Sequence, residues 1–331
     1  MTARRDRSQA WRKAVQLTFL LLNVWIGVQF YLFVRFYESG GVTTYAERPP
    51  GVEGWLPIAA MMNLKAFAVT GRIPHAHPAG MFLLIAFLAI SLLMRKAFCG
   101  WLCPVGTVSE ALWKLGKRLF KRNWRLPRWA DLPLRGLKYA LLGLFVYAVA
   151  SMPVEAIEAF LSGPYGTIAD VRMLNFFRTL SAGGAVVLIL LGLASLFVQN
   201  FWCRYLCPYG ALMGLVSLAS PARIRRDESA CIECARCTKA CPSLLAVDKL
   251  VTVRSAECVA CLECVAVCPA KGALSFTAAK NRVPAWAVAA VVTALFAGVV
   301  AYAQFTGSWR TDRSSQTYFD LVPRAQEFTH P

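Results

Sequence analysis

Acidic residues are scarce in this chain: 18 Asp and Glu stand against 36 Lys and Arg in 331 residues, and there are only three His. No nucleophile is paired with a base in a familiar pattern, no glycine-rich loop has the form that cradles phosphate, and no two carboxylates are spaced for acid–base work. These absences argue against a hydrolase or a transferase. His75 and His77 share one segment and His330 lies near the end, which leaves too few histidines for a bis-His haem between two helices. Stray cysteines are also missing. All twelve lie between Cys99 and Cys268, and each belongs to a C-x2-C or C-x3-C pattern, so metal ligation is the default for every one of them. Most of the basic excess flanks apolar segments instead of forming the basic face of a soluble domain, which argues against a nucleic-acid partner.

The cysteines that are present carry the strongest signal. Cys231, Cys234, Cys237 and Cys241-Pro242, then Cys258, Cys261, Cys264 and Cys268-Pro269, spell C-x2-C-x2-C-x3-C-P twice. In that spacing three close thiolates hold three irons of a cubane, and the fourth cysteine reaches across to the other cluster. One [4Fe–4S] cluster is therefore expected on Cys231, Cys234, Cys237 and Cys268, and a second on Cys258, Cys261, Cys264 and Cys241. A zinc site would leave surplus thiols. A disulfide framework would need an oxidising compartment.

At 57% hydrophobic residues and a mean hydropathy of +0.48, the chain reads as a membrane protein with one soluble insert. Apolar runs cover residues 14–34, 79–94, 137–152, 183–198 and 285–303, which makes about five transmembrane helices. The shorter ones rely on flanking residues such as Arg95 and Lys96 to snorkel to the headgroups. Lys and Arg crowd the connection between the second and third runs, which places that connection, the basic segment 1–13 and the insert in the cytoplasm. Residues 14–220 form a four-helix membrane core, 221–283 the cytoplasmic insert, 284–304 the fifth helix and 305–331 a periplasmic tail. Residues 55–71 suit an interfacial or re-entrant helix under the outer leaflet, with a core-packing role as the alternative. The basic stretch around Val108 to Phe120 suits either anionic lipid or an acidic redox partner.

A second cysteine set emerges from an internal repeat. Phe98-Cys99-Gly100-Trp101-Leu102-Cys103-Pro104 matches Trp202-Cys203-Arg204-Tyr205-Leu206-Cys207-Pro208, and each copy follows an apolar run. Parallel repeats about an axis normal to the membrane would bring the two loops together. Pro104 and Pro208 suit the first turn of a helix, where the preceding cysteine meets the positive end of the helix dipole. Cys99, Cys103, Cys203 and Cys207 are candidates for a third centre, either iron–sulfur or Cu(I). Redox-active dithiols and simple packing are the alternatives. His75 and His77 are candidates for a quinone or proton site, against a reading as solvated loop histidines.

Together these residues resemble the membrane polyferredoxins: NapH-type quinol dehydrogenase components, the membrane core of NosR and the CcoG/FixG/RdxA proteins. The resemblance rests on the paired C-x3-C-P loops, the double ferredoxin motif, and the phrases Glu53-Gly54-Trp55-Leu56-Pro57-Ile58 and Met62-Asn63-Leu64-Lys65. It runs from Trp11 to about Val300, and so covers the core shared by the group, without the flavin-binding domain of NosR or the terminal extracytoplasmic domain of FixG. The expected architecture is a membrane α-helical bundle carrying an inserted α+β two-cluster ferredoxin domain, in a bacterial inner membrane. The expected function is electron transfer between the quinone pool, or a periplasmic redox partner, and two cytoplasmic-side [4Fe–4S] clusters. An electron carrier fits better than a stand-alone enzyme, with a quinol dehydrogenase component as the enzymatic form. Copper reduction for the maturation of an oxidase or reductase is the alternative, and a redox sensor a third option.

Overall fold

The computed structural model describes residues 8–279 and 281–329. Arg4, Arg5 and Arg7 of the basic N-terminal segment and His330 lie outside them. Helices dominate the chain. α1 (Ser8–Glu38), α2 (Pro57–Thr70), α3 (Pro78–Leu93), α4 (Pro104–Phe120) and α5 (Arg128–Ser151) are followed by the shorter α6 (Val154–Ser162), α7 (Pro164–Thr167) and α8 (Ala169–Arg178). After α9 (Ala182–Phe197) and α10 (Pro208–Ser217) comes a segment with strand β1 (Ala222–Arg226), helices α11 (Arg236–Ala240) and α12 (Glu263–Ala266), and strands β2 (Leu274–Ala278) and β3 (Asn281–Arg282). α13 (Ala285–Phe305) and α14 (Ser315–Leu321) close the described chain.

Among the described residues, α1, α5 and α13 are long and apolar enough to cross a membrane, and α8 with α9, which meet at 83°, make either a broken fourth span or a re-entrant loop. α3 is apolar but has 16 residues, about 24 Å at 1.5 Å per residue against a hydrocarbon core of about 30 Å. The outward faces of these helices remain greasy: Leu21, Trp25, Ile189, Leu190 and Tyr147 are all exposed. Such a surface needs lipid to cover it.

The chain divides into two compact units, and the division falls inside α1, α3, α5, α9 and α13. The first unit gathers the chain up to Leu21, Phe87–Leu142 and Ile189–Phe296, and so contains all twelve cysteines. Its sheet is antiparallel in the order β1-β2-β3, with Ala222 opposite Ala278 and Arg226 opposite Leu274. Ala222 and Ile224 point inward while Arg223 and Arg225 point away, the period-2 pattern of a strand with one covered face.

The second unit gathers Leu22–Ala86, Gly143–Leu188 and the chain from Ala297. Phe30, Phe33, Val34 and Tyr37 of α1 form its aromatic core with Ile168, Val171 and Tyr318. The stretch after Phe305 is therefore anchored: α14 buries Tyr318 against Phe33 and Tyr37, followed by Val322 and Ala325. Nearby, α2 packs on α6 through Met62, Ala66, Ile157 and Leu161. Lys65 caps the end of α5, donating to the carbonyls of Val149 at 3.1 Å and Ala150 at 2.8 Å, which satisfies acceptors that a helix leaves open at its C-terminus.

Candidate metal centres

Two cavities in the first unit are lined by the ferredoxin-spaced cysteines. Cys241, Cys258, Cys261 and Cys264 border one, with Val253 and Leu262 among its apolar neighbours. Cys231, Cys234, Cys237 and Cys268 border the other. The two adjoin, because α11 carries Cys237, α12 carries Cys264 and these helices pack together. Cys234 is exposed, whereas Cys237, Cys241, Cys261 and Cys264 are buried. Among the described residues no three Cys, His, Asp or Glu side chains converge closely enough to hold a single metal ion. Four thiols around an open cavity suit a cluster, in which each sulfur meets its own iron.

The repeat in the sequence is also a repeat in backbone geometry. Both copies form a π-helical turn, Phe98–Leu102 and Trp202–Leu206, and each turn ends on a cysteine that caps the following helix. Cys103 Sγ accepts the Gly106 N–H at 3.4 Å, and Cys207 Sγ accepts the Gly210 N–H at 3.2 Å. The first π turn packs on α10 and the second on α4, an exchange that gathers Cys99, Cys103, Cys203 and Cys207 into one charge-coupled group. Burial, opposed by Lys96, pushes the Cys99 thiol up to about 11; burial together with Cys207 and Cys99 pushes Cys203 up to about 12. Thiols this deeply buried ionise only when a cation takes the place of the proton, which is what a metal does.

The two π turns also grip the loops that border the cavity of Cys241, Cys258, Cys261 and Cys264. Trp101 Nε1 donates to the Ala260 carbonyl at 2.9 Å, and Gly100 presses so close that a Cβ there would lie 2.4 Å from Val259 O. From the second turn, Arg204 Nη1 donates to Ser243 O at 2.8 Å while its Nε and Nη2 hold Asp131 at 3.0 and 3.1 Å. Glu257 completes the joint: it accepts from the buried Lys138 Nζ at 2.6 Å, and its carbonyl accepts from Ser243 Oγ at 2.7 Å. Arg12, which charge alone assigned to topology, is buried here. Its Nε donates to Gly100 O at 3.0 Å, and its other nitrogens pair with Glu110 and Glu263. Arg95 and Lys96 are likewise buried, at 0% and 4% exposure, so neither snorkels.

The second unit separates the two histidines. His75 is exposed, whereas His77 is buried at 1% and so is not a solvated loop residue. His77 Nε2 lies 2.7 Å from Gly166 O. A carbonyl can only accept, so Nε2 carries the proton and the neutral ring keeps Nδ1 as its basic atom. Nδ1 faces Arg48 Nη2 at 3.2 Å and Glu53 Oε1 at 3.5 Å. Burial works against the imidazolium, but the Glu53 contact outweighs it and raises the His77 pKa. Burial would also raise Glu53; Arg48, His77 and Thr311 overcome it and hold the carboxyl at about 2. Asn63 fixes the loop by donating to the carbonyls of Ala76 at 2.8 Å and His77 at 3.0 Å.

YccM of Escherichia coli, named for electron transport, is 47% identical to this chain over 327 residues, 97% of this chain and 92% of that protein. The chain belongs to the membrane polyferredoxin family. The 4Fe-4S binding domain family matches residues 76–127 and 180–226, one match for each C-x3-C-P loop, and the 4Fe-4S dicluster domain family matches residues 223–283. The ferredoxin-type protein NapH of Haemophilus influenzae is 29% identical over 49% of this polyferredoxin and 52% of its own length. For the regulatory protein NosR of Pseudomonas aeruginosa the identity is 33%, over 44% and 19%. No solved structure matches. This polyferredoxin is thus a membrane electron-transport protein with 4Fe-4S domains. Arg48 and Thr311 went unnoticed in the sequence because each is an isolated polar residue outside any motif, and Glu257 because the cysteine beside it carries the signal. Only the phrase around Glu53 hinted at the network near His77.

Proposed function

We propose that this polyferredoxin carries single electrons between the quinone pool, or a periplasmic partner, and two cytoplasmic-side [4Fe–4S] clusters in a bacterial inner membrane. The observation that carries this reading is the packing of three four-thiol groups into one unit, with both repeat loops gripping the segments that hold Cys241, Cys258 and Cys261. Cys231, Cys234, Cys237 and Cys268 hold one [4Fe–4S] cluster, and Cys241, Cys258, Cys261 and Cys264 the second. Cys99, Cys103, Cys203 and Cys207 hold a third centre. Iron–sulfur clusters there supply one-electron storage. The protein supplies close docking of the loops, apolar cavity walls and buried cations.

The 4Fe-4S binding domain match at both repeat loops supports iron over copper in the third centre. The apolar helices α1, α3, α5, α9 and α13 support five spans, and the Lys and Arg crowded between the second and third support a cytoplasmic side for the cysteines. Of the two histidines offered for a quinone or proton site, His77 has a carboxylate beside it, Glu53 at 3.5 Å, and His75 is the one open to solvent.

Iron analysis of anaerobically purified protein tests this. About twelve irons per chain are expected, falling to about eight when Cys99, Cys103, Cys203 and Cys207 are all changed to Ser, since a cubane holds four. Copper lost from that variant at constant iron would move the centre to metal handling, and equal metal content would remove it. Reconstituted protein is expected to reduce its clusters with a quinol. Failure to exchange electrons with quinone in either direction would discard that partner.

A further inference from the structure

In the first repeat, Arg95 and Lys96 stand four and three residues before Cys99. At the same distances before Cys203 the second repeat has Gln199 and Asn200. The repeat is therefore asymmetric in charge at the point where α3 gives way to its π turn. Arg95 adopts a left-handed backbone, φ 58°, and its N–H donates to Ser220 Oγ at 3.0 Å. A non-glycine residue in that region is uncommon and costs energy. The turn drives two consecutive side chains into the protein in different directions.

Arg95 reaches the second ferredoxin loop. Its guanidinium donates to Ser255 O at 2.5 Å and lies beside Cys258, while Nε and Nη1 are buried with no hydrogen-bond partner. Lys96 instead lies among Cys99, Cys203 and Cys207, with Glu257 as the nearby carboxylate. A buried cation with unpaired N–H groups is costly, and it gains a partner when the thiols beside it become ligands of an anionic cluster. Charge next to a cluster, and hydrogen bonds to its sulfurs, set its reduction potential.

We propose that Arg95 and Lys96 divide the tuning of two adjacent centres, Arg95 raising the potential of the cluster on Cys241, Cys258, Cys261 and Cys264, and Lys96 that of the centre on Cys99, Cys103, Cys203 and Cys207. This rests on the reading that both thiol groups hold iron–sulfur clusters. The sign follows from charge. Reduction adds an electron, a fixed cation stabilises the reduced form, and its removal makes reduction harder.

The test is a mediated dithionite titration of the full-length protein in detergent, followed by EPR, with iron measured on every sample. Arg95→Gln, placed in the background lacking the four repeat cysteines so that only the ferredoxin clusters report, is expected to lower the reduced-to-oxidised ratio of one cluster about tenfold at fixed potential. That is a shift of about 59 mV for a one-electron couple. Lys96→Met in the otherwise natural chain is expected to do the same to the third centre and to leave the ferredoxin signals in place. Arg95→Lys and Lys96→Arg keep the charge and are expected to stay near the parent values. Should a neutral variant lose its iron, retention in the charge-conserving variant supports charge compensation, and loss in both overturns it in favour of packing. Full iron with unmoved potentials, or equal shifts in the neutral and charge-conserving variants, also overturns the proposal. A parent protein without iron at these cysteines fails the underlying reading instead.

Discussion

Arg48→Met is expected to cost about 3–5 kcal/mol, the usual penalty for stripping the counter-charge from a buried ion pair. Arg48 Nη1 holds Glu53 Oε1 at 2.8 Å and Nη2 holds Asp170 Oδ2 at 2.7 Å, with Glu53 and Asp170 at 0% and 1% exposure. Methionine has similar length but no charge, and leaves both carboxylates behind. The pH dependence provides an independent check. In the natural protein Glu53 sits at about 2, so its contribution is complete above the unfolded value of about 4.3 and is lost as pH falls through about 2. His77 is raised; its contribution is complete below about 6.5 and is lost as pH rises through its folded value. Without Arg48, burial dominates Glu53 and raises its folded pKa. The variant should therefore gain stability on acidification toward about pH 4, where the parent gains nothing from Glu53. Thermal unfolding in detergent across that range measures both effects. Parallel pH profiles for variant and parent would rule out this account, as would a failure of Glu53→Gln to recover stability in the Arg48→Met background.

Gly100→Val should be the most damaging change near the cysteines. A Cβ at Gly100 would meet Val259 O at 2.4 Å and Val259 Cβ at 3.3 Å, and the obstacle is backbone between two cysteines of one cavity. The π turn cannot retreat, because Arg12 Nε and Gln16 Nε2 hold the Gly100 carbonyl at 3.0 and 3.1 Å. Overpacking a tight site typically costs about 1–3 kcal/mol, and here the upper end is expected together with loss of iron from the Cys241, Cys258, Cys261 and Cys264 group. Gly136→Ala and Gly143→Ala are the controls, since a Cβ at either meets nothing within 4 Å. Both should retain full iron. A Gly100→Val protein with the parent's iron content and melting temperature would show that the contact is not needed.

Much of this molecule could be read from its sequence wherever the signal is local. Apolar runs mark the long helices because a bilayer demands unbroken hydrophobic length. The ends of α1 and α14 were less visible. α1 already includes the described residues ahead of its apolar run, where Arg12 faces protein and not water. α14 belongs to the second unit because its aromatic residues find Phe33 and Tyr37 on a helix nearly three hundred residues earlier. Hydropathy could not distinguish a snorkelling Arg95 from a buried one, since that depends on what Ser220 and Ser255 bring alongside it.

Spacing along the chain was enough to give the family's cysteine grammar: two triplets each with a remote fourth thiol, and a repeated C-x3-C-P loop. In both cases the ligands lie a few residues apart, where the reach of the chain and the first turn of a helix leave little freedom. Which charges meet becomes visible once the helices are packed. Arg48 finds Asp170 across 122 residues, Arg12 finds Glu263 across 251, and Lys138 finds Glu257 across 119. A charged side chain carries no mark of its partner in sequence; desolvation makes an unpaired buried charge too costly, and which opposite charge supplies the pair is settled when the helices pack.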